Sequence, residues 1–367
     1  MTGVTPDVMS IASHFRLSSQ PETFSECTVG HINSTYFINC EGGVKYVLQR
    51  INTLVFKDPD ALMRNIAGVT SHIRKKLSEE GADEEHGTLH FCQTYDSKLY
   101  LRDSNGDCWR IYRFIDNVLN LQSADSPEVF RKVGNAFGHF QKQLSDYDVS
   151  LLCETIPDFH NTVLRFNDLF TAINNNAAGR LAEVRDEIDF VVQRQKTCAY
   201  ITDKIASGMI PLRVTHNDTK LNNILLDEKT LEPVCVIDLD TIMPGSVLYD
   251  FGDAIRFGAS NAAEDETDLQ KVFIRTEMFE AFADGFISGS ENEITEEEIR
   301  DFPMGAIVIT LETGIRFLTD YLNGDTYFRI LYPEHNLDRA RNQFRLVRDM
   351  EEKLPDLNKI AEKYIKY

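Results

Sequence analysis

The chain has 367 residues, enough to bury a large core in one domain or two, and its 58 acidic against 38 basic side chains give a formal charge of −20, which argues against a nucleic-acid or anionic-membrane partner. Seven scattered cysteines (Cys27, Cys40, Cys92, Cys108, Cys153, Cys198, Cys235) without a Cys-x-x-Cys pair argue against a disulfide framework and a zinc site. The first residues lack a basic segment followed by an apolar run, and no later stretch reads as long enough to span a bilayer, so the expected location is cytoplasmic.

From residue 23 to about 117 the pattern is mostly strand. Residues 24–29, 35–40 and 44–51 are short β-rich runs, the last two joined by the hairpin signal Gly42-Gly43. The loop between the first two carries one glycine, Gly30, with His31 and Asn33 after it, and by itself reads as an ordinary turn. Asp58-Pro59 supplies an N-cap and a first-turn proline, and Leu62, Ile66, Val69, Ile73 and Leu77 follow at helical spacing. Residues 89–101 and 109–115 return to strand. Beyond Asn117 apolar periodicity predicts helices over 129–144 and 188–205, then over 268–286, 295–322 and 337–364, with Thr295 and Glu298 as a capping box. The expected fold is α+β in two lobes: residues 1–116 with an antiparallel sheet, and residues 117–367, mainly helical.

One hairpin interrupts the helices, and it carries the chemistry. Ile224-Leu225-Leu226, a polar turn and Val234-Cys235-Val236-Ile237 predict two strands that return the chain to its start, bringing Asn223 and Asp238, fifteen residues apart, to one end. A phosphotransferase needs a carboxylate beside the acceptor hydroxyl to take its proton, and hard oxygen donors for the nucleotide's metal. Asp218 in His216-Asn217-Asp218-Thr219-Lys220 is the candidate base, and Asn223 and Asp238 are the candidate metal ligands. Lys220, two residues past the base, is placed to lie against the γ-phosphate. His216 is expected to bond backbone and orient the loop. Asp250-Phe251-Gly252 imitates the metal-binding triplet of protein kinases, but it lies 27 residues beyond Asn223. Asp250 is therefore expected to brace the catalytic loop, with Asp253 and Arg256 near it.

Residues 215–227 (Thr-His-Asn-Asp-Thr-Lys-Leu-Asn-Asn-Ile-Leu-Leu-Asp), 237–246 (Ile-Asp-Leu-Asp-Thr-Ile-Met-Pro-Gly-Ser) and 249–260 (Tyr-Asp-Phe-Gly-Asp-Ala-Ile-Arg-Phe-Gly-Ala-Ser) resemble the aminoglycoside phosphotransferase and choline kinase superfamily. With Gly30-His31-Ile32-Asn33 and Tyr332-Pro333-Glu334-His335-Asn336-Leu337 the likeness runs nearly end to end, and within the superfamily the chain is similar to the N-acetylhexosamine 1-kinases. The resemblance implies a protein-kinase-like fold, ATP as co-substrate, Mg2+ as cofactor, and an amino sugar phosphorylated on its anomeric hydroxyl, N-acetylglucosamine or N-acetylgalactosamine. It makes residues 113–116 the hinge, where backbone groups around Arg113 and Ile115 read adenine, and sets the Gly30 loop over the phosphates.

Two features depart from a protein-kinase pattern. The loop has one glycine rather than three. Gln49 stands near where a strand lysine would contact the phosphates, and alternation puts Arg50 on the opposite face, so Lys220 and the metal are expected to supply the positive charge. For the acceptor, Glu312, Arg316 and Asp320 lie at i, i+4 and i+8 on one helix face, either as a polar stripe toward the cleft or as a solvated or internal ion-pair ladder that only supports the helix. Arg316 is the leading candidate, with Tyr327 as an aromatic wall. His31 and Asn33 either reach the acceptor from the small lobe or pack their own loop. Two alternatives stay open: a kinase of choline, homoserine or an aminoglycoside, and a ligand-binding pseudokinase marked by Gln49.

Overall fold

The computed structural model describes residues 7–27 and 32–365, so Gly30 and His31 lie outside the described residues. A short helix α1 (Val8–Ala12) precedes strands β1 (Pro21–Cys27), β2 (Ser34–Cys40) and β3 (Lys45–Ile51). Helix α2 (Pro59–Glu80) begins where Asp58 Oδ1 accepts the Ala61 N–H at 3.0 Å and ends at Gly81, whose φ of 67° favours glycine. Strands β4 (Leu101–Arg102) and β5 (Cys108–Arg113) complete an antiparallel sheet of order β1-β2-β3-β5-β4. Alternation along β3 turns Tyr46 and Leu48 onto a core with Val8, Ile11, Phe15 and Trp109, and Val47 and Gln49 onto the cleft face. Arg50 stands on the far side, 3.4 Å from Asp107, as the alternation predicts.

The strand expected over 89–101 is mostly irregular. Cys92 N–H reaches Ile111 O, but the chain then turns through Ser97, at φ 65°, with Thr94 N–H bonded to Lys98 O, and only the last residue of the stretch, Leu101, joins the sheet, forming β4 with Arg102. The five helical residues of α2 named above are buried, and they pack with Ile51, Cys108, Ile115 and Phe140 into a core that runs between the two lobes.

The large lobe contains β6 (Val118–Asn120), α3 (Pro127–Gln143), α4 (Thr162–Asn175), the short helices α5 (Arg185–Val192), α6 (Gln195–Cys198) and α7 (Tyr200–Ala206), and strands β7 (Arg213–Thr215), β8 (Ile224–Asp227), β9 (Pro233–Val236) and β10 (Met243–Gly245). Then follow α8 (Val247–Gly258), α9 (Thr276–Ser290), α10 (Glu296–Arg300), α11 (Phe302–Asn323), α12 (His335–Glu352) and α13 (Leu354–Glu362). Sheet order β6-β8-β9 contains the predicted hairpin, and β7 pairs with β10.

Three expected long helices are broken. Residues 188–205 divide among α5, α6 and α7, and the breaks at Asp301 and Lys353 precede Pro303 and Pro355, which lack the N–H a continuous helix needs. The capping box of Thr295 and Glu298 is present at α10. Residues 268–275 are not part of a long helix, because Ile274 bridges Ser260 and its N–H goes to Asp349 Oδ2 at 2.8 Å. By length and composition α11 could cross a membrane, contrary to the expectation that no stretch could, but 78% of its apolar window is buried inside the fold, as in the core helix of a globular protein.

Helices α3 and α9 touch backbone to backbone. A Cβ added to Gly138 would overlap Phe286 O, one on Gly134 would overlap Phe282 O, and one on Gly285 would overlap Arg131 O. This approach sets the depth of α3, which carries Phe137, Phe140 and Gln141 toward β7. Gly138→Ala should therefore destabilise the fold by about 1–3 kcal/mol in urea unfolding, and a loss below about 0.5 kcal/mol, within the range of an ordinary surface change, would contradict the backbone contact.

Candidate active site

The loop between β7 and β8 is held from beneath by one buried carboxylate. Asp250, on α8, accepts the backbone N–H of His216 at 3.0 Å and of Asn217 at 2.7 Å, and the Gln141 side-chain amide at 2.9 Å. The Thr219 hydroxyl donates to the Asp250 carbonyl. Burial raises the Asp250 carboxyl above its ordinary range, against His216 and the two backbone donors. Asn217 adopts φ 64°, a left-handed conformation that asparagine tolerates better than most side chains, and donates to Thr241 O at 2.8 Å. His216 is fully buried, edge-on to Phe137 and Phe140; its Nε2 meets Ile237 O at 2.9 Å and its Nδ1 accepts the Asp218 N–H at 3.3 Å. Those contacts occupy both ring nitrogens in orienting the loop.

On this loop Asp218 Oδ1 lies 2.9 Å from Lys220 Nζ, and Asn223 Nδ2 donates to Asp218 O at 2.7 Å and to its Oδ2 at 3.0 Å. Burial pushes the Asp218 carboxyl up, but the Lys220 ammonium and the Asn223 amide outweigh it and hold the group below the usual carboxylate range. Lys220 is held well above its ordinary value, first by Asp218. Ile237 N–H bonds Asn223 O at 2.9 Å, so the hairpin closes as predicted and delivers Asp238 beside Asn223. Asp238 has φ 59° and its carboxyl is pushed up to about 7 by lost hydration and by the Asp240 and Asp218 carboxylates. The neighbouring charges are the firmer cause, since the residue remains open to the cleft.

This donor set fits a divalent cation. The Asn223 amide nitrogen is engaged with Asp218, which leaves its oxygen for a metal, and Asp238 carries a carboxylate crowded by negative charge that a cation would relieve.

Asp218, Lys220, Asn223 and Asp238 line one cleft of about 590 Å³ together with Asn33, Gln49, Arg113 and Ile115. That volume suits a small ligand. At the end of β5, Arg113 N–H donates to His90 O at 3.0 Å, which leaves the Arg113 carbonyl for a ligand. The Asn33 amide is engaged at both ends, donating to Asp240 Oδ2 at 2.6 Å and accepting the Asn52 N–H at 3.0 Å. It ties the lobes together instead of facing an acceptor.

The supposed polar stripe on α11 divides into separate jobs. Glu312 is buried and receives His160 Nδ1 at 2.9 Å and the Thr162 hydroxyl at 2.7 Å; burial works against its charge, but His160 and Arg316 hold its carboxyl below the ordinary range. Asp320, also buried, accepts the N–H groups of Thr326, Tyr327 and Phe328, each at 2.9 Å, and fixes the chain after α11. Arg316 alone of the three lies partly open, its guanidinium 5.6–5.8 Å from the ring centres of Phe159, Tyr327 and Phe328. His160 Nε2 contacts Asn217 O at 3.3 Å, so this aromatic box adjoins the catalytic loop, although Arg316 and Tyr327 do not line the main cleft.

Sequence reasoning passed over Gln141, Phe159, His160, Arg110 and Asp240. Asp240 was the most accessible of these, as the second carboxylate of Asp-Leu-Asp; the others approach from elements more than fifty residues away in the chain.

The fold is that of several solved small-molecule kinases. An aminoglycoside phosphotransferase from Alicyclobacillus acidocaldarius superposes with a TM-score of 0.63 at 14% identity over 99% of this chain and 98% of its own. A microcompartment-associated aminopropanol kinase gives 0.61 at 13% identity over 95% and 97%, and amicoumacin kinase hAmiN in complex with AMP-PNP, Ca2+ and Ami gives 0.60 at 16% over 94% and 92%. The model of the phosphotransferase enzyme family matches residues 23–282, which hold the whole catalytic loop and hairpin, and the chain therefore belongs to that family.

Proposed function

We propose that the protein is an ATP- and Mg2+-dependent kinase of the anomeric hydroxyl of N-acetylhexosamines, with its lobes meeting at Asp116 and Asn117. The nucleotide's adenine lies against the hinge, on the Arg113 carbonyl and the Ile115 peptide. Mg2+, held by Asn223 and Asp238, would offset the charge of the phosphates. Asp218 takes the proton of the acceptor hydroxyl, and Lys220, fixed beside it, draws the γ-phosphate to the same point. An anomeric hydroxyl is more acidic than other sugar hydroxyls, so the burden on Asp218 is lighter than for an ordinary alcohol.

The observation that carries the acceptor class is the Arg316 box. Amino-alcohol and aminoglycoside acceptors are cations and call for carboxylates or open aromatic faces. Here the group that adjoins the loop is itself cationic, its aromatic faces are already turned toward a guanidinium, and the two nearby helix carboxylates are engaged inside the protein. Arg316 donors and the exposed Tyr327 ring suit a neutral sugar, which needs directional hydrogen bonds and a flat wall. His31, from the small lobe, is a further candidate for the sugar.

Asp218→Asn should lower turnover by about 10²–10⁴ with ATP binding nearly intact, toward the low end because the hydroxyl is acidic; unchanged turnover would remove Asp218 from the role of base. Arg316→Gln should raise the KM for N-acetylglucosamine or N-acetylgalactosamine by about 10-fold or more and leave the KM for ATP unchanged. In the same coupled assay, turnover of choline or ethanolamine with none of either sugar would contradict the acceptor assignment. The two carboxylates that compete for the metal role separate by magnesium titration: Asp238→Asn should raise the Mg2+ needed for half-maximal rate by about 10-fold or more. Asp250→Asn should instead lose about 1–3 kcal/mol of stability, since one of three buried donors loses its acceptor, with little change in Mg2+ dependence. The opposite pattern would exchange their roles.

A further inference from the structure

Gln49 leaves the small lobe without the strand lysine that would meet the phosphates, and the structure puts a different cation there. The β3–β5 register sets Gln49 opposite Arg110. Both line the cleft, and Arg110 Nε and Nη2 donate to Gln49 Oε1 at 3.0 and 2.8 Å, while Gln49 Nε2 donates to the Thr35 hydroxyl at 3.2 Å. Arg110 Nη1 forms an ion pair with Asp240 Oδ1 at 2.5 Å, with both side chains nearly inaccessible. The pair is close without being aligned as a hydrogen bond, so that carboxylate oxygen has no directed donor. On α2 the residue that reaches this group is Met63, whose Sδ lies 4.0 Å from Arg110 Nη1, so the guanidinium's acidic partner comes from the loop after Asp238 and not from the helix.

A buried ion pair adds little net stability, because dehydration of both ions offsets their attraction. This one stands in the wall of a cleft that already holds Asp218 and Asp238, where a polyphosphate would enter against three carboxylates unless positive charge met it from above as well as from Lys220. A guanidinium has five N–H donors in a rigid fork. The second hydrogen on Nη2 is used by none of the contacts above, and the fork is immobilised by Gln49 and Asp240.

We propose that Arg110 is the small-lobe phosphate-binding cation: the charge sits on β5 instead of β3, Gln49 orients it, and Asp240 is its counter-ion. The assignment rests on the reading of the protein as an ATP-dependent phosphotransferase. Asp240 also accepts Asn33 from the small lobe and stands two residues after Asp238, so the contact that aims Arg110 at the phosphates joins the two lobes beside the metal site.

Isothermal titration calorimetry with ATP, ADP and adenosine tests it on three proteins. The wild type should bind all three. The doubly neutralised variant Arg110→Gln/Asp240→Asn, which leaves no buried charge unpaired, should lose about 10- to 100-fold in affinity for ATP and ADP while adenosine binding stays within about 2-fold. Gln49→Lys/Arg110→Gln, which returns a cation to β3 beside Asp240, should recover most of the ATP affinity. Retained ATP affinity in the neutral variant would overturn the assignment, as would a parallel loss of adenosine binding or a charge-moved variant no better than the neutral one. If the neutral variant fails to fold, the charge-moved variant decides by its ATP affinity against the wild type. A wild-type protein that binds none of the three ligands would overturn the nucleotide reading itself, and this assignment with it.

Discussion

The burial of the Asp250 carboxylate against the backbone of the catalytic loop is the constraint on which the rest of the site depends. A charged group removed from water must be met by donors, and here the donors are the N–H groups of His216 and Asn217 and the amide of Gln141. Satisfying Asp250 therefore requires the loop to turn its backbone inward, which Asn217 allows by taking a left-handed conformation. Once the backbone faces inward, Asp218 and Lys220 must face the cleft. Gln141 reaches Asp250 only because α3 lies deep, and α3 lies deep because glycines let it touch α9. Packing far from the cleft thus determines where Asp218 stands.

Charge is distributed across the cleft in opposed groups. The large lobe offers Asp218, paired with the Lys220 ammonium, and Asp238, and the Asp240 carboxylate is answered by Arg110 and Asn33 from the small lobe. Asp238 stays crowded by the Asp218 and Asp240 carboxylates, an arrangement that suits a ligand arriving as a polyanion together with a divalent cation. Along α11 the logic reverses. Glu312 and Asp320 are drawn inward to fix His160 and the chain after α11, and the group left facing out is a guanidinium among aromatic rings.

Local chemistry made much of this legible. The hairpin from Ile224 to Val236 forms where its alternation and polar turn indicate, and it brings Asn223 and Asp238 together because the closure needs only a dozen residues. The capping residues of α2 and α10 work through contacts three residues away, so they too are readable. What escaped was non-local. Nothing near residue 110 announces that its guanidinium will lie on Gln49, because that contact is made by strand pairing across sixty residues. Helix α8 was missed for another reason: it is buried on nearly every side, Asp250, Asp253 and Arg256 included, so no polar face gave it a period. The α11 stripe stayed ambiguous in the sequence because helical spacing reports which side chains share a face, not whether that face meets solvent or the core.

Phosphorus NMR on the product formed from ATP, Mg2+ and N-acetylglucosamine or N-acetylgalactosamine tests the central claim most directly, because it reports the site of phosphorylation as well as its occurrence. The account predicts a new acid-labile phosphate coupled to the anomeric proton, formed as ADP accumulates. A phosphate on any other sugar hydroxyl, or ATP bound and left intact in the presence of both sugars, would contradict it.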